Sequence, residues 1–213
     1  MSLVKFQTPM TSICVGPTGS GKTTYIKRLL ENAQEMFTIP PQKIYYCYSI
    51  WQDVFDELKK TVSNISFQLE LPDESDFLVD KDIHTLWIID DKMDEVVDCK
   101  LMQKIYCVLS HHTLTSIIFI LQNLYQKGKV MRSISLNSHV FFLFKNGRDS
   151  LQIQSLARQM FPGQVRFFMD VYQRAISRPY NCLIVDIAPG SNPEYQLRAN
   201  PFPGEDTIVY QPK

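Results

Sequence analysis

Gly16-Pro17-Thr18-Gly19-Ser20-Gly21-Lys22-Thr23 satisfies the phosphate-binding pattern G-x-x-x-x-G-K-[ST] at every fixed position. Before it stands Met10-Thr11-Ser12-Ile13-Cys14-Val15, short, apolar and partly β-branched, as a buried parallel strand requires. After it, Lys22 to Leu30 sets Ile26, Leu29 and Leu30 at helical spacing. A strand, this loop and a helix in that order predict a nucleoside triphosphate site. Glycines at 16, 19 and 21 let the backbone approach a polyphosphate closely, with loop NH groups and the positive end of the helix turned toward it. Within the binding stretch Gly16 to Thr24, Lys22 is the point charge for the outer phosphates. The Thr23 hydroxyl is the ligand for a magnesium ion.

The next informative run is Thr85-Leu86-Trp87-Ile88-Ile89-Asp90-Asp91, an apolar strand that ends in two acids. Buried strands deliver carboxylates to nucleotide sites in this way. Asp90 is the expected magnesium partner, acting mainly through ordered water. Asp91 is placed to polarise an attacking water as general base, with Asp94 and Glu95 as alternates. Thr115 to Gln122 is a further strand, apolar until its last residue, and that residue, Gln122, suits a sensor of the γ-phosphate.

With 213 residues, 45% of them hydrophobic, and no internal repeat, the chain suits one compact domain spanning 1–213. No run reaches the roughly 18 apolar residues of a membrane span, and residues 1–10 lack a signal-peptide core. A soluble, intracellular protein is expected. Cys14, Cys47, Cys99, Cys107 and Cys182 are odd in number, lack metal-ligand spacing and mostly lie in apolar runs, so they read as reduced core residues. Formal net charge is zero, which excludes a global field as the attraction to nucleic acid. Local charge does differ: between Asn123 and Arg158 the cations Lys127, Lys129, Arg132, Lys145, Arg148 and Arg158 face one anion, Asp149. Lys127 and Lys129 are candidate contacts to DNA phosphates.

The remaining elements follow from pattern. Lys43 to Tyr48 and Ile65 to Leu69 read as strands, and Trp51 to Lys60 as a helix presenting Trp51, Val54, Phe55 and Leu58. Leu71 to Asp82 reads as an acidic surface connection. Cys99 to Leu109 is helical, with His111-His112 at its end in a structural role. Val140 to Phe144 and Cys182 to Ile187 are strands; Leu151 to Met160 and Val165 to Ala175 are helices. The Pro-containing segment 189–213 is expected to be irregular and to wrap the surface.

Taken in order, Gly16 to Thr23, Ile88 to Asp91, His111-His112 with Ile117 to Asn123, Arg132 to Asn137, and Phe144 to Asp149 resemble the genome-packaging ATPases of double-stranded DNA viruses and Maverick/Polinton-type elements. These belong to the FtsK/HerA superfamily, and the resemblance covers nearly the whole chain. It implies an α/β P-loop NTPase of the ASCE, RecA/FtsK-HerA-like kind: a three-layer sandwich with a mostly parallel sheet. In it the Gln122 strand lies between the loop strand and the Asp90 strand. It also implies ATP and Mg2+ as ligands, self-association into a ring, double-stranded DNA as cargo, and capsid or portal-type partners in an infected or element-bearing cell. A neighbouring subunit would supply a basic residue to the transition state, with Arg148 and Arg132 as candidates. Related motors often carry Asp-Glu where this chain has Asp90-Asp91. Two other readings stay open: a nucleotide-gated scaffold for DNA or a capsid protein, and a small-molecule P-loop kinase, for which no Arg-rich lid is evident.

Overall fold

The computed structural model describes residues 3–79, 81–124, 128–147 and 150–212, with backbone alone at Val79. Among these residues the strands are β1 (Thr11–Val15), β2 (Lys43–Cys47), β3 (Ile65–Gln68), β4 (Thr85–Asp90), β5 (Thr115–Leu121), β6 (Val140–Phe144), β7 (Cys182–Asp186), β8 (Leu197–Ala199) and β9 (Ile208–Val209). They form one sheet in the order β3-β2-β4-β5-β1-β6-β7-β8-β9. From β3 to β6 all pairs are parallel, and from β6 to β9 all are antiparallel. The expected insertion of the Gln122 strand between the loop strand and the Asp90 strand is present.

Every residue of β1, β4, β5 and β6 is buried. The cause is a sheet covered on both faces, which demands apolar side chains in both directions. Ile13, Phe119 and Phe141 face one layer, under the helices Lys129–Leu136, Ser150–Met160 and Val165–Ala175. Cys14, Ile118 and Phe142 face the other, under Lys22–Glu31 and Asp53–Thr61. Helices on both faces make this a three-layer α/β sandwich. No described helix is long and apolar enough to cross a membrane, and the five cysteines are free thiols, with Cys14, Cys47 and Cys182 buried in the core but Cys99 and Cys107 only partly buried at its margin.

The structure differs from expectation in five places. The acidic stretch 71–82 contains a helix, Glu74–Val79, whose Phe77 is buried and stacks on Trp87 with ring centroids 5.5 Å apart. Burying one such ring stabilises by about 2 kcal/mol, enough to pin a short acidic helix to the sheet. Segment 189–213 is not merely a surface wrap, because it adds β8 and β9 and buries Leu197, Ala199 and Phe202. Its apolar signal is broken by Arg198, which is 0% exposed and donates from Nη2 to Asp186 Oδ2 at 2.7 Å. The helix Lys129–Leu136 has no counterpart in the sequence reading; Val130, Met131 and Ile134 form its buried face. Trp51 precedes its helix and stays 37% exposed, whereas Phe55 and Leu58 are buried as expected. The helical run from Lys100 switches to a π-helical turn at Ile105–Leu109 before ending at His112.

Candidate functional site

The phosphate loop connects β1 to the helix Lys22–Glu31, and its glycines meet distinct demands. Gly19 and Gly21 have φ of 77° and 98°, a region that side chains strongly disfavour. Gly16 is needed for space, since a Cβ there would lie 2.6 Å from the Phe144 Cβ on β6. The Lys22 ammonium folds back to donate to the Gly16 and Pro17 carbonyls at 2.6 and 3.0 Å. Burial lowers its pKa, while Cys14, Asp90 and Asp91 act in the opposite direction. Lys22 is thus tethered at the loop by bonds that an anion can replace.

Asp90 closes β4 and is 6% exposed. Burial pushes its carboxyl up to about 6, against the Tyr46 hydroxyl, which donates to Oδ2 at 2.8 Å. A carboxylate in this position lacks most of the charge compensation it needs, which a cation would provide. Asp91 follows with φ of 54°, an uncommon non-glycine conformation. The Ser49 hydroxyl donates to its carbonyl at 2.7 Å, and Gln122 Nε2 reaches its Oδ1 at 3.4 Å.

These residues converge on one cleft of about 360 Å³, lined by Thr18, Gly19, Gly21, Lys22, Thr23, Thr24, Asp90, Asp91 and Gln122. The strand ends β1, β4 and β5 therefore bring the loop, the acids and the amide together. Of the candidate bases, Asp91 lines this cleft; Glu95 is paired with Lys92 at 2.6 Å, and neither it nor Asp94 is among the lining residues. Three further participants escaped the sequence reading: Tyr46 beneath Asp90, and Gln52 and Tyr180 on the cleft wall. Tyr46 gave no local signal because its role arises from the pairing of β2 with β4. Arg132 is exposed and lines a separate groove of about 450 Å³. Arg148 and Lys127 lie outside the described residues. The His111 ring packs beside His139, with centroids 5.3 Å apart.

No protein-family model matches the chain, and no curated protein matches its sequence. Solved structures do share its fold. The DNA-packaging ATPase B204 of Sulfolobus turreted icosahedral virus has a TM-score of 0.59 at 13% identity, over 96% of this chain and 98% of its own. The genome packaging NTPase B204 of Sulfolobus turreted icosahedral virus 2, in complex with ATP-gammaS, has a TM-score of 0.57 at 13% identity, with the same coverage of 96% and 98%. EssC (ATPases 2 and 3) of Geobacillus thermodenitrificans has a TM-score of 0.52 at 14% identity, over 94% of this chain and 39% of that one. Fold and loop together define the class: a P-loop NTPase fold with its nucleotide cleft at the carboxyl ends of the parallel strands.

Proposed function

We infer that the chain is an ATP-hydrolysing motor that moves double-stranded DNA into a viral or viral-type capsid. The observation that carries this is the single cleft shared by Lys22, Thr23, Asp90, Asp91 and Gln122. It sits in a fold that matches a DNA-packaging ATPase over nearly the full length of both chains.

The donors fit a magnesium ion: the Thr23 hydroxyl and Asp90 carboxylate line one cleft, and Asp90 is buried with its charge poorly compensated. When bound, the ion supplies positive charge that neutralises the phosphates. The chain's own residues perform the rest. Lys22 leaves its two carbonyls and stabilises charge on the outer phosphates. Asp91 orients a water and takes its proton, with Gln122 holding the carboxylate and sensing the γ-phosphate. A neighbouring subunit in a ring supplies an arginine, Arg148 or Arg132, to the developing charge. Double-stranded DNA is the cargo, capsid or portal-type proteins are the partners, and the host cell of the virus or element is the place of action.

Movement along DNA separates a motor from a nucleotide-gated scaffold. On linear duplex carrying a bound third strand, ATP should let the wild type strip that strand, while Lys22→Ala should leave it in place. A wild type that hydrolyses ATP yet never displaces the strand would overturn the motor reading. Mixing Arg148→Ala with Lys22→Ala subunits tests the shared site, because recovered hydrolysis requires the loop of one subunit and the arginine of another. If Arg148→Ala alone is fully active, Arg132 takes its place.

A further inference from the structure

The nucleotide cleft has a second wall that the phosphate chemistry does not use. Tyr180 lies between the helix Val165–Ala175 and β7. The residue is 69% exposed, yet its backbone has φ of 63°. A bulky residue in that region is strained, and such strain gathers at ligand clamps where the surroundings enforce it. The surroundings here are the phosphate loop: a Cβ on Gly21 would stand 2.9 Å from Tyr180 Cδ1. The tyrosine therefore rests on the bare Cα at the entrance to the helix Lys22–Glu31, with most of its ring open to solvent.

Tyr180 also borders a smaller cavity of about 160 Å³, which shares Gly21, Thr24 and Tyr180 with the main cleft. Asp90, Asp91 and Gln122 line the main cleft and not this cavity, so it continues the cleft away from the catalytic acids. Its walls carry two carboxamides, with Asn181 Nδ2 donating to Asn200 Oδ1 at 3.3 Å. That bond leaves the Asn181 oxygen as an acceptor and the Asn200 amino group as a donor, which matches the adenine edge, an amino donor beside a ring-nitrogen acceptor. Arg28 closes the cavity, held by Glu205 at 2.7 Å and lying 4.2 Å over the Phe202 ring. A further cavity touching Tyr180 shares Asn181 but carries Lys145 and Arg178, whose side chains only donate and so suit an anion better than a base edge.

We propose that Tyr180 is the platform on which the base of the bound nucleotide stacks, with Asn181 and Asn200 reading the edge of an adenine. This rests on the nucleotide reading of the cleft and adds the part of the ligand about which the loop motif is silent. A triphosphate whose outer end meets Lys22, Asp90 and Gln122 leaves past Gly21 and Thr24. Its sugar and base then emerge beside the Tyr180 ring.

The test compares ATP with inorganic tripolyphosphate, which has no base, by direct binding to the full chain. Tyr180→Asn removes the ring while retaining a residue type that accepts positive φ, and Tyr180→Phe retains the ring. ATP affinity should fall about five- to a hundredfold in Tyr180→Asn and be restored in Tyr180→Phe. Tripolyphosphate should bind both as it binds wild type. Asn200→Gly, at ease with the φ of 53° found there, should narrow the preference for ATP over GTP, whose base presents an oxygen acceptor where adenine has its amino donor. Equal losses for ATP and tripolyphosphate would make Tyr180 a support for the loop and overturn the platform. So would an unchanged ATP affinity, and an unchanged ATP-to-GTP ratio in Asn200→Gly would overturn the edge reading. Wild type and Lys22→Ala are measured alongside. If wild type binds ATP and only the platform variants fail to respond, the nucleotide site stands; if wild type binds no ATP, that reading falls as well.

Discussion

The parallel and antiparallel parts of the sheet deliver residues to the same cleft by opposite routes. In the parallel part a site residue follows its strand: the phosphate loop follows β1, Asp91 follows β4 and Gln122 follows β5, while Asp90 is the last residue of β4. In the antiparallel part β7 runs the other way, with Cys182 opposite Phe144 and Asp186 opposite Val140. Tyr180, which precedes β7, therefore arrives at the cleft edge, while Asp186 is carried to the far edge. There it meets Arg198 in a buried ion pair. The proposed chemistry and a buried ion pair thus lie at opposite ends of the same sheet.

Four substitutions or conditions can break or sharpen that contrast. The largest effect is expected at the cleft edge. Asp91→Asn retains a residue that tolerates positive φ but removes the proposed base, so single-turnover hydrolysis should slow by about 10²- to 10⁴-fold with ATP binding kept. Normal hydrolysis by this variant, with loss in Glu95→Gln, would move the base to Glu95. At the far edge Arg198→Met should cost about 3–5 kcal/mol in denaturant unfolding, because Asp186 is left as a buried, unpaired charge. The folded fraction should still bind ATP. Loss of binding in proportion to something other than unfolding would show that the two ends are coupled.

A smaller effect concerns pH. Asp90 sits at about 6 in the folded protein, above an ordinary aspartate, so it is protonated below that value. Magnesium-dependent ATP binding should weaken by about tenfold per unit as pH falls below about 6. In the metal-free protein the sign is reversed for stability: between about pH 4 and 6 the folded state keeps a proton that the unfolded chain has released, so stability falls as pH rises through this window. Asp90→Asn should flatten both profiles, and unaltered profiles would remove Asp90 from the metal. The smallest effect is expected at the basic face. Lys129→Ala should lower the slope of log affinity for duplex DNA against log salt by about one, uniformly across sequences. A slope that does not change would place the DNA elsewhere.

The parallel part was legible because each strand is a continuous apolar run that ends in a telling polar residue. Gly16 to Thr23, Asp90 and Gln122 could be found by reading forward from their strands, and their convergence in one cleft follows from the strand order. The antiparallel part defeats that procedure. Tyr180 stands before its strand, in a loop with no motif, and its contact with Gly21 is visible only in three dimensions. Arg198 hides a strand because charge within a three-residue apolar segment reads as surface until Asp186 is seen beside it. Phe77 likewise sits among acids, and only its stacking on Trp87 explains why that segment is held down.

The most direct test of the central claim is steady-state phosphate release from ATP by the purified protein, with and without long duplex DNA, beside Lys22→Ala. The expected result is magnesium-dependent release that rises with DNA and falls on the order of a hundredfold or more in Lys22→Ala. Wild-type release from Lys22→Ala, or no release from the wild type at any DNA concentration, would contradict it.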